Sequence, residues 1–153
     1  MQTIKEQQVA AVRVSGLKVR TRNADEAQPS SAKIGPMWQR FFAEELYQKI
    51  PGKQPESPMY GVYSGYESDA QGLFDVTAGV ATQAPAAGFD SLVIEPGRYL
   101  VFEARGPMPA AIITAWQHVW DYFEQPGVES RAFVTDFEVY PADDVALIYI
   151  GIR

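Results

Sequence analysis

The sequence predicts an α+β fold: duplicated β-α-β-β units forming a pseudo-two-fold, mostly antiparallel sheet with two main helices packed on it. Three observations predict it. The order strand-helix-strand-strand occurs twice, and each helix stops at a Pro-Gly pair, Pro51-Gly52 and Pro126-Gly127. The tetrapeptide Tyr60-Gly61-Val62-Tyr63 reappears as Phe137-Glu138-Val139-Tyr140. Neither half is large enough to bury its own sheet face and helix stripe, so the two are expected to pack together. The 153 residues fit a single domain spanning 1–153, with half-repeats at about 8–82 and 97–153.

The elements follow from local pattern. Residues 9–14 are an apolar run before Ser15-Gly16 and read as a strand. Residues 21–33 are polar, carry Pro29-Ser30-Ser31, and read as a loop. From Pro36 the spacing turns helical, with Trp38, Phe41, Phe42, Leu46 and Ile50 at intervals of three and four. Proline suits a first helical turn and Pro-Gly a stop, so one helix is expected over 36–50. Strands follow at 60–63 and 73–81, then a loop through Pro85, Gly88 and Pro96-Gly97. The second half opens with a strand at 98–104 that ends at Arg105-Gly106, with Gly106 matched to Gly16. A helix at 109–125 places Ile112, Trp116, Val119, Trp120 and Phe123 on one face. Strands at 132–140 and 145–152 flank the turn at 141–144.

Composition excludes several chemistries. The chain has no cysteine, so it has no thiol nucleophile, Cys-type zinc site or disulfide. The first eight residues are polar and no apolar run could span a bilayer, so the expected location is cytoplasmic, with no membrane partner. The net charge is −6 and the only tight basic group is Lys18, Arg20 and Arg22, which argues against binding a phosphate backbone. No His/Asp/Glu set has metal-ligand spacing and no glycine-rich phosphate loop is present, so neither metal nor cofactor is expected. The single histidine, His118, lacks a nucleophile-elbow serine and reads as structural or surface.

Glu138 is the one position where matched tetrapeptides change character, from glycine to carboxylate. Strand alternation puts Asp136, Glu138 and Tyr140 on one face. The following strand, Ala146-Leu147-Ile148-Tyr149-Ile150, is apolar on both faces, so Glu138 should be sheltered. A buried carboxylate needs a partner or it protonates. Either a structural guanidinium (Arg98, Arg105 or Arg131) supplies the charge, or a cavity admits a cationic or hydrogen-bond-donating guest, with aromatic walls.

The repeated order, closing in Phe137-Glu138-Val139-Tyr140 and the apolar strand, resembles the gyrase-inhibitor-like (GyrI-like) superfamily. This group includes the effector-binding domains of AraC-type and MerR-type multidrug-sensing regulators. Gly97-Arg98-Tyr99, opening the second half, resembles it too. The resemblance spans about residues 9–152. It implies a ligand pocket near the pseudo-dyad with Glu138 inside and Tyr140 in its wall. It also makes Trp116 and Trp120 candidates, followed by Tyr60 and Phe102. Tyr63 and Trp38 are weaker ones. No helix-turn-helix precedes Val9, so direct DNA contact is not expected.

Three functions are consistent with this reading. The first is a non-enzymatic sensor, carrier or sequestering module for small lipophilic, cationic or aromatic compounds. The second, implied by some GyrI-like proteins, is hydrolysis of cyclopropane-bearing alkylating compounds with Glu138 as the catalytic group. The third is a protein-interaction role like that of the gyrase inhibitors.

Overall fold

A computed structural model describes residues 4–153. Eight strands and four helices follow in the order β1 (Lys5–Val9), β2 (Val12–Thr21), α1 (Asn23–Glu26), α2 (Ile34–Ala43), α3 (Leu46–Lys49), β3 (Met59–Ser64), β4 (Phe74–Ala81), β5 (Asp90–Ile94), β6 (Gly97–Arg105), α4 (Ala110–Phe123), β7 (Arg131–Ala142) and β8 (Val145–Ile152). The fold is α+β, and every pairing between these strands is antiparallel.

One sheet runs β1-β6-β8-β7-β3-β4-β2-β5. This order puts β7 and β3 at the centre, with β8-β6-β1 on one side and β4-β2-β5 on the other. The outermost strands are exchanged: β1 pairs with β6 of the second half, and β5 pairs with β2 of the first. Only Ala10 and Ala11 separate β1 from β2, although the two lie near opposite ends of the order. Two linking residues reach only about 10 Å, so the sheet curls until its ends meet. The registers agree: Lys5↔Val101 through Val9↔Gly97 continues without a slip into Val12↔Ile94 through Gly16↔Asp90.

β2 and β4 approach each other closely at one step of their ladder. Gly16 pairs with Gly79 across β2 and β4. A Cβ on Gly16 would lie 1.9 Å from the Ala78 carbonyl oxygen, and one on Gly79 would lie 2.1 Å from that of Ser15. Gly16 is therefore a mid-strand contact rather than the end of a strand, and it does not correspond to Gly106, which follows the last residue of β6 with φ of 128°.

Apolar side chains fill both faces of the curled sheet. On the outer face, Phe74, Val76, Ala78 and Val80 of β4 pack with Met37 and Phe41 of α2 and with Leu46 and Ile50. In the other half, Phe102, Ala146, Ile148 and Ile150 pack with Ala115 and Val119 of α4. The inner face buries Val14, Val62, Ile94, Tyr99 and Phe137.

Four elements differ from the sequence reading, the first being the loop at 21–33, which carries the single-turn helix α1 (Asn23–Glu26). The helix expected at 36–50 breaks into α2 and α3, because Glu45 adopts a left-handed φ of 53° that redirects the chain. Leu46 and Ile50 thereby reach the core of Phe41, while Phe42 is left 57% exposed. The strand at 9–14 becomes two strands reaching from Lys5 to Thr21, since Leu17, Val19 and Thr21 keep the alternation going past Gly16. The loop before Pro96 contains β5, whose Leu92 and Ile94 turn toward the inner core.

Candidate functional site

β3 and β7 lie side by side at the centre of the sheet, and their two matched tetrapeptides pair with each other. Gly61 is the cross-strand partner of Glu138, flanked by Tyr60↔Val139 and Val62↔Phe137. The second residues of the two tetrapeptides, Gly61 and Glu138, are thus directly opposed at the centre of the sheet. The registers continue the row to Ala78 on one side and to Ile148 and Phe102 on the other. Antiparallel partners share a face, so Glu138 lies on the helix-bearing face. It sits between the half covered by α2 and the half covered by α4.

Side chains converge on it from four elements. Trp116 of α4 donates Nε1–H to Glu138 Oε2 at 2.6 Å, and the Tyr63 hydroxyl of β3 donates to the same oxygen at 3.1 Å. The Tyr140 hydroxyl of β7 donates to Oε1 at 2.6 Å. Trp38 of α2 packs edge-on against Tyr140 with ring centroids 5.7 Å apart. Tyr63 and Trp116 are 5.0 Å apart. Each element supplies its ring for a local reason. Trp38 lies beside buried Met37 on α2, Trp116 sits between buried Ala115 and Val119 on α4, and both tyrosines lie two residues beyond the Gly61–Glu138 pair.

The carboxylate is 3% exposed, whereas Trp38, Tyr63, Trp116 and Tyr140 each keep part of their surface open. Burial pushes the Glu138 carboxyl above the ordinary glutamate range, opposed by hydrogen bonds from Tyr140, Trp116 and Tyr63. Burial, reinforced by the Glu138 charge, holds the Tyr63 and Tyr140 hydroxyls well above the usual phenol range. Both phenols therefore remain protonated donors. No ion pair among the described residues includes Glu138. The three guanidinium candidates are committed elsewhere: Arg98 to Glu6, Arg105 to Glu103, and Arg131 to Asp136.

Asp136 shows what a compensated acid looks like in the same strand. It is fully buried two residues from Glu138, and it accepts from Arg131 Nη2 at 2.7 Å, from the Gly151 amide at 2.9 Å and from the Tyr66 hydroxyl. One buried carboxylate has a built-in counter-charge, and its neighbour has only neutral donors.

The structure brings Glu138, Tyr140 and Trp116 together, with Trp120 one helical turn on, its ring 6.3 Å from that of Trp116 and 41% exposed. It separates two other candidates from them. Tyr60 lies on the inner face against Phe137. Phe102 is 1% exposed beneath α4, against Tyr122 and Phe123. Tyr63 and Trp38, weaker candidates in the sequence, are direct members of the cluster. The antiparallel pairing of the two tetrapeptides was the signal that could have promoted Tyr63. The rings cover Glu138, which is itself buried. Two surface hollows, of about 620 and 930 Å³, lie elsewhere, and Glu138 lines neither.

Comparison with known proteins agrees with this architecture. The integron cassette protein VCH_CASS2, from the mobile metagenome of Vibrio cholerae, is 35% identical, with a TM-score of 0.84 over 98% of this chain and 95% of that one. SAV2435, solved bound to tetraphenylphosphonium, is 22% identical with a TM-score of 0.82, covering 99% and 94%. The EcmrR C-terminal domain shares the fold at 12% identity, with a TM-score of 0.61 over 100% and 98%. A search of curated proteins finds no match. No helix among the described residues is long and apolar enough to cross a membrane. The profile of Cass2, the integron-associated effector binding protein, matches residues 6–152, and the chain belongs to that family of small-molecule-binding modules.

Proposed function

We propose that this protein binds lipophilic organic cations at the aromatic cluster around Glu138, as a sensor, carrier or sequestering module. One observation carries the reading: a buried carboxylate surrounded by neutral aromatic donors, with no guanidinium or ammonium among the described residues paired to it. Aromatic ring faces attract cations through their quadrupole. A unit positive charge about 6 Å from the carboxylate, at an effective dielectric near 20, gains roughly 3 kcal/mol. Tetraphenylphosphonium bound to a protein of the same fold supports the same ligand class. Other features support nearby apolar contact: Phe42 stacks beside Trp38 at 5.8 Å, and Phe42 and Trp120 are both exposed.

The test is calorimetric titration with tetraphenylphosphonium and with neutral triphenylphosphine oxide. Glu138→Gln keeps the shape and removes the charge; its amide oxygen can still accept from Trp116 and Tyr63 while its NH2 donates to the Tyr140 oxygen, so the cation should lose about 1–3 kcal/mol of affinity and the neutral compound much less. Equal affinity of both proteins for the cation would remove Glu138 from the site.

A further inference from the structure

Resting on that reading, we propose that the site selects cations without N–H groups, such as quaternary ammonium, aryl phosphonium and delocalised dye cations. Primary ammonium or guanidinium compounds of similar shape are discriminated against. The reason is the occupancy of the carboxylate. Glu138 Oε2 already accepts from Trp116 and Tyr63, and Oε1 accepts from Tyr140 while facing Gly61 across the ladder. An ionised carboxylate offers about four acceptor sites, and the remaining one lies within a group that is only 3% exposed. A guest arriving from solvent meets the ring surfaces of Trp38, Tyr63, Trp116 and Tyr140, which are partly open, before it meets an oxygen.

An ammonium with three N–H donors gives up its water and finds no acceptor in return, which costs free energy. A quaternary cation has no donors to leave unpaired. It is drawn by the charge of Glu138 acting across the intervening rings and by their π-faces. Each ring that donates its N–H or O–H to the carboxylate is also made more electron-rich, which strengthens its pull on a cation. The three donors therefore both hide Glu138 and advertise its charge.

The test uses a matched pair, (2-naphthylmethyl)trimethylammonium and (2-naphthylmethyl)ammonium, titrated into wild type, Tyr140→Phe and Tyr63→Phe. In wild type the quaternary cation should bind about tenfold tighter or more, since the primary one forfeits a charged hydrogen bond. Each phenylalanine variant frees an acceptor site, so the primary cation should gain and the preference should shrink about fivefold or more. A preference that stays unchanged in both variants overturns the inference. So does a wild type that binds the primary cation as tightly as the quaternary one. If neither cation binds wild type, the binding reading falls as well. Binding without the shift in preference removes this inference alone.

Discussion

Gly61 and Glu138 face each other at the same step of the β3–β7 ladder, and no methyl group fits between them. A Cβ on Gly61 would lie 2.9 Å from Glu138 Oε1 and 3.2 Å from Trp38 Cζ2. The glycine in one tetrapeptide thus makes room for the glutamate in the other. Gly61→Ala should push the carboxylate off its three donors at a cost of about 1–3 kcal/mol in stability, typical of overpacking. Urea denaturation measures that cost, and calorimetry should show weaker cation binding alongside it. Unchanged binding in a destabilised variant would mean that the donor cage is not part of the site.

The Gly16–Gly79 contact is less forgiving, because backbone atoms rather than the end of a side chain stand in the way. Gly16→Ala or Gly79→Ala should cost about 3 kcal/mol or more. Chemical denaturation would read this as a large fall in the midpoint. A near-neutral result would show that β2 and β4 can separate at no great expense.

Cation binding should depend on pH through Glu138. Its carboxyl is raised above the ordinary range, chiefly by burial, so acidification protonates it while most surface carboxylates remain ionised. Affinity for a permanent cation should therefore fall as pH drops through the raised value, and Glu138→Gln should abolish that step. Stability moves the other way. The folded state holds this proton more tightly than the unfolded one, so the stability it contributes is complete at low pH. That contribution is lost as pH rises from the ordinary glutamate range through the raised value. Comparing denaturation of wild type and Glu138→Gln across that window isolates the effect.

Arg131 and Asp136 form a buried pair whose two members are 8% and 0% exposed. Arg131→Met alone should cost about 3–5 kcal/mol, since it strands a buried charge. Adding Asp136→Asn should recover a substantial part of that loss, because the side-chain oxygen can still accept from the Gly151 amide and no buried charge is left unpaired. A double-mutant cycle by urea denaturation checks both steps. Additive losses would show that the two residues do not act as a pair.

Much of this was legible in the residues. The alternation in Phe137-Glu138-Val139-Tyr140 set the faces of β7, and the helical spacing of Trp116 and Val119 located α4 and its buried stripe. The helix break at Glu45 was not legible, because neither glycine nor proline marks it and only the packing of Leu46 and Ile50 against Phe41 calls for it. Phe102 and Tyr60 lie outside the cluster for different reasons: Phe102 shares the face of Glu138 but sits two strands away beneath α4, whereas Tyr60 takes the opposite face. An aromatic at strand spacing has two faces to choose from, and the register across four strands decides which one it takes. Trp38 could be assigned to a helix from its spacing, but the tertiary approach of α2 to Tyr140 set its neighbours.

The exchanged outer strands have a consequence for how the chain assembles. Because β1 completes the second half and β5 completes the first, neither half owns a full complement of partners until both are present. Closing those pairings joins residues from 74 positions apart (Gly16 and Asp90) to 96 apart (Lys5 and Val101), so a high contact order should slow folding and make it cooperative across the whole chain. A fragment ending near residue 82 should accordingly remain unstructured, and the ring-lined carboxylate at the β3–β7 junction requires both segments of the chain.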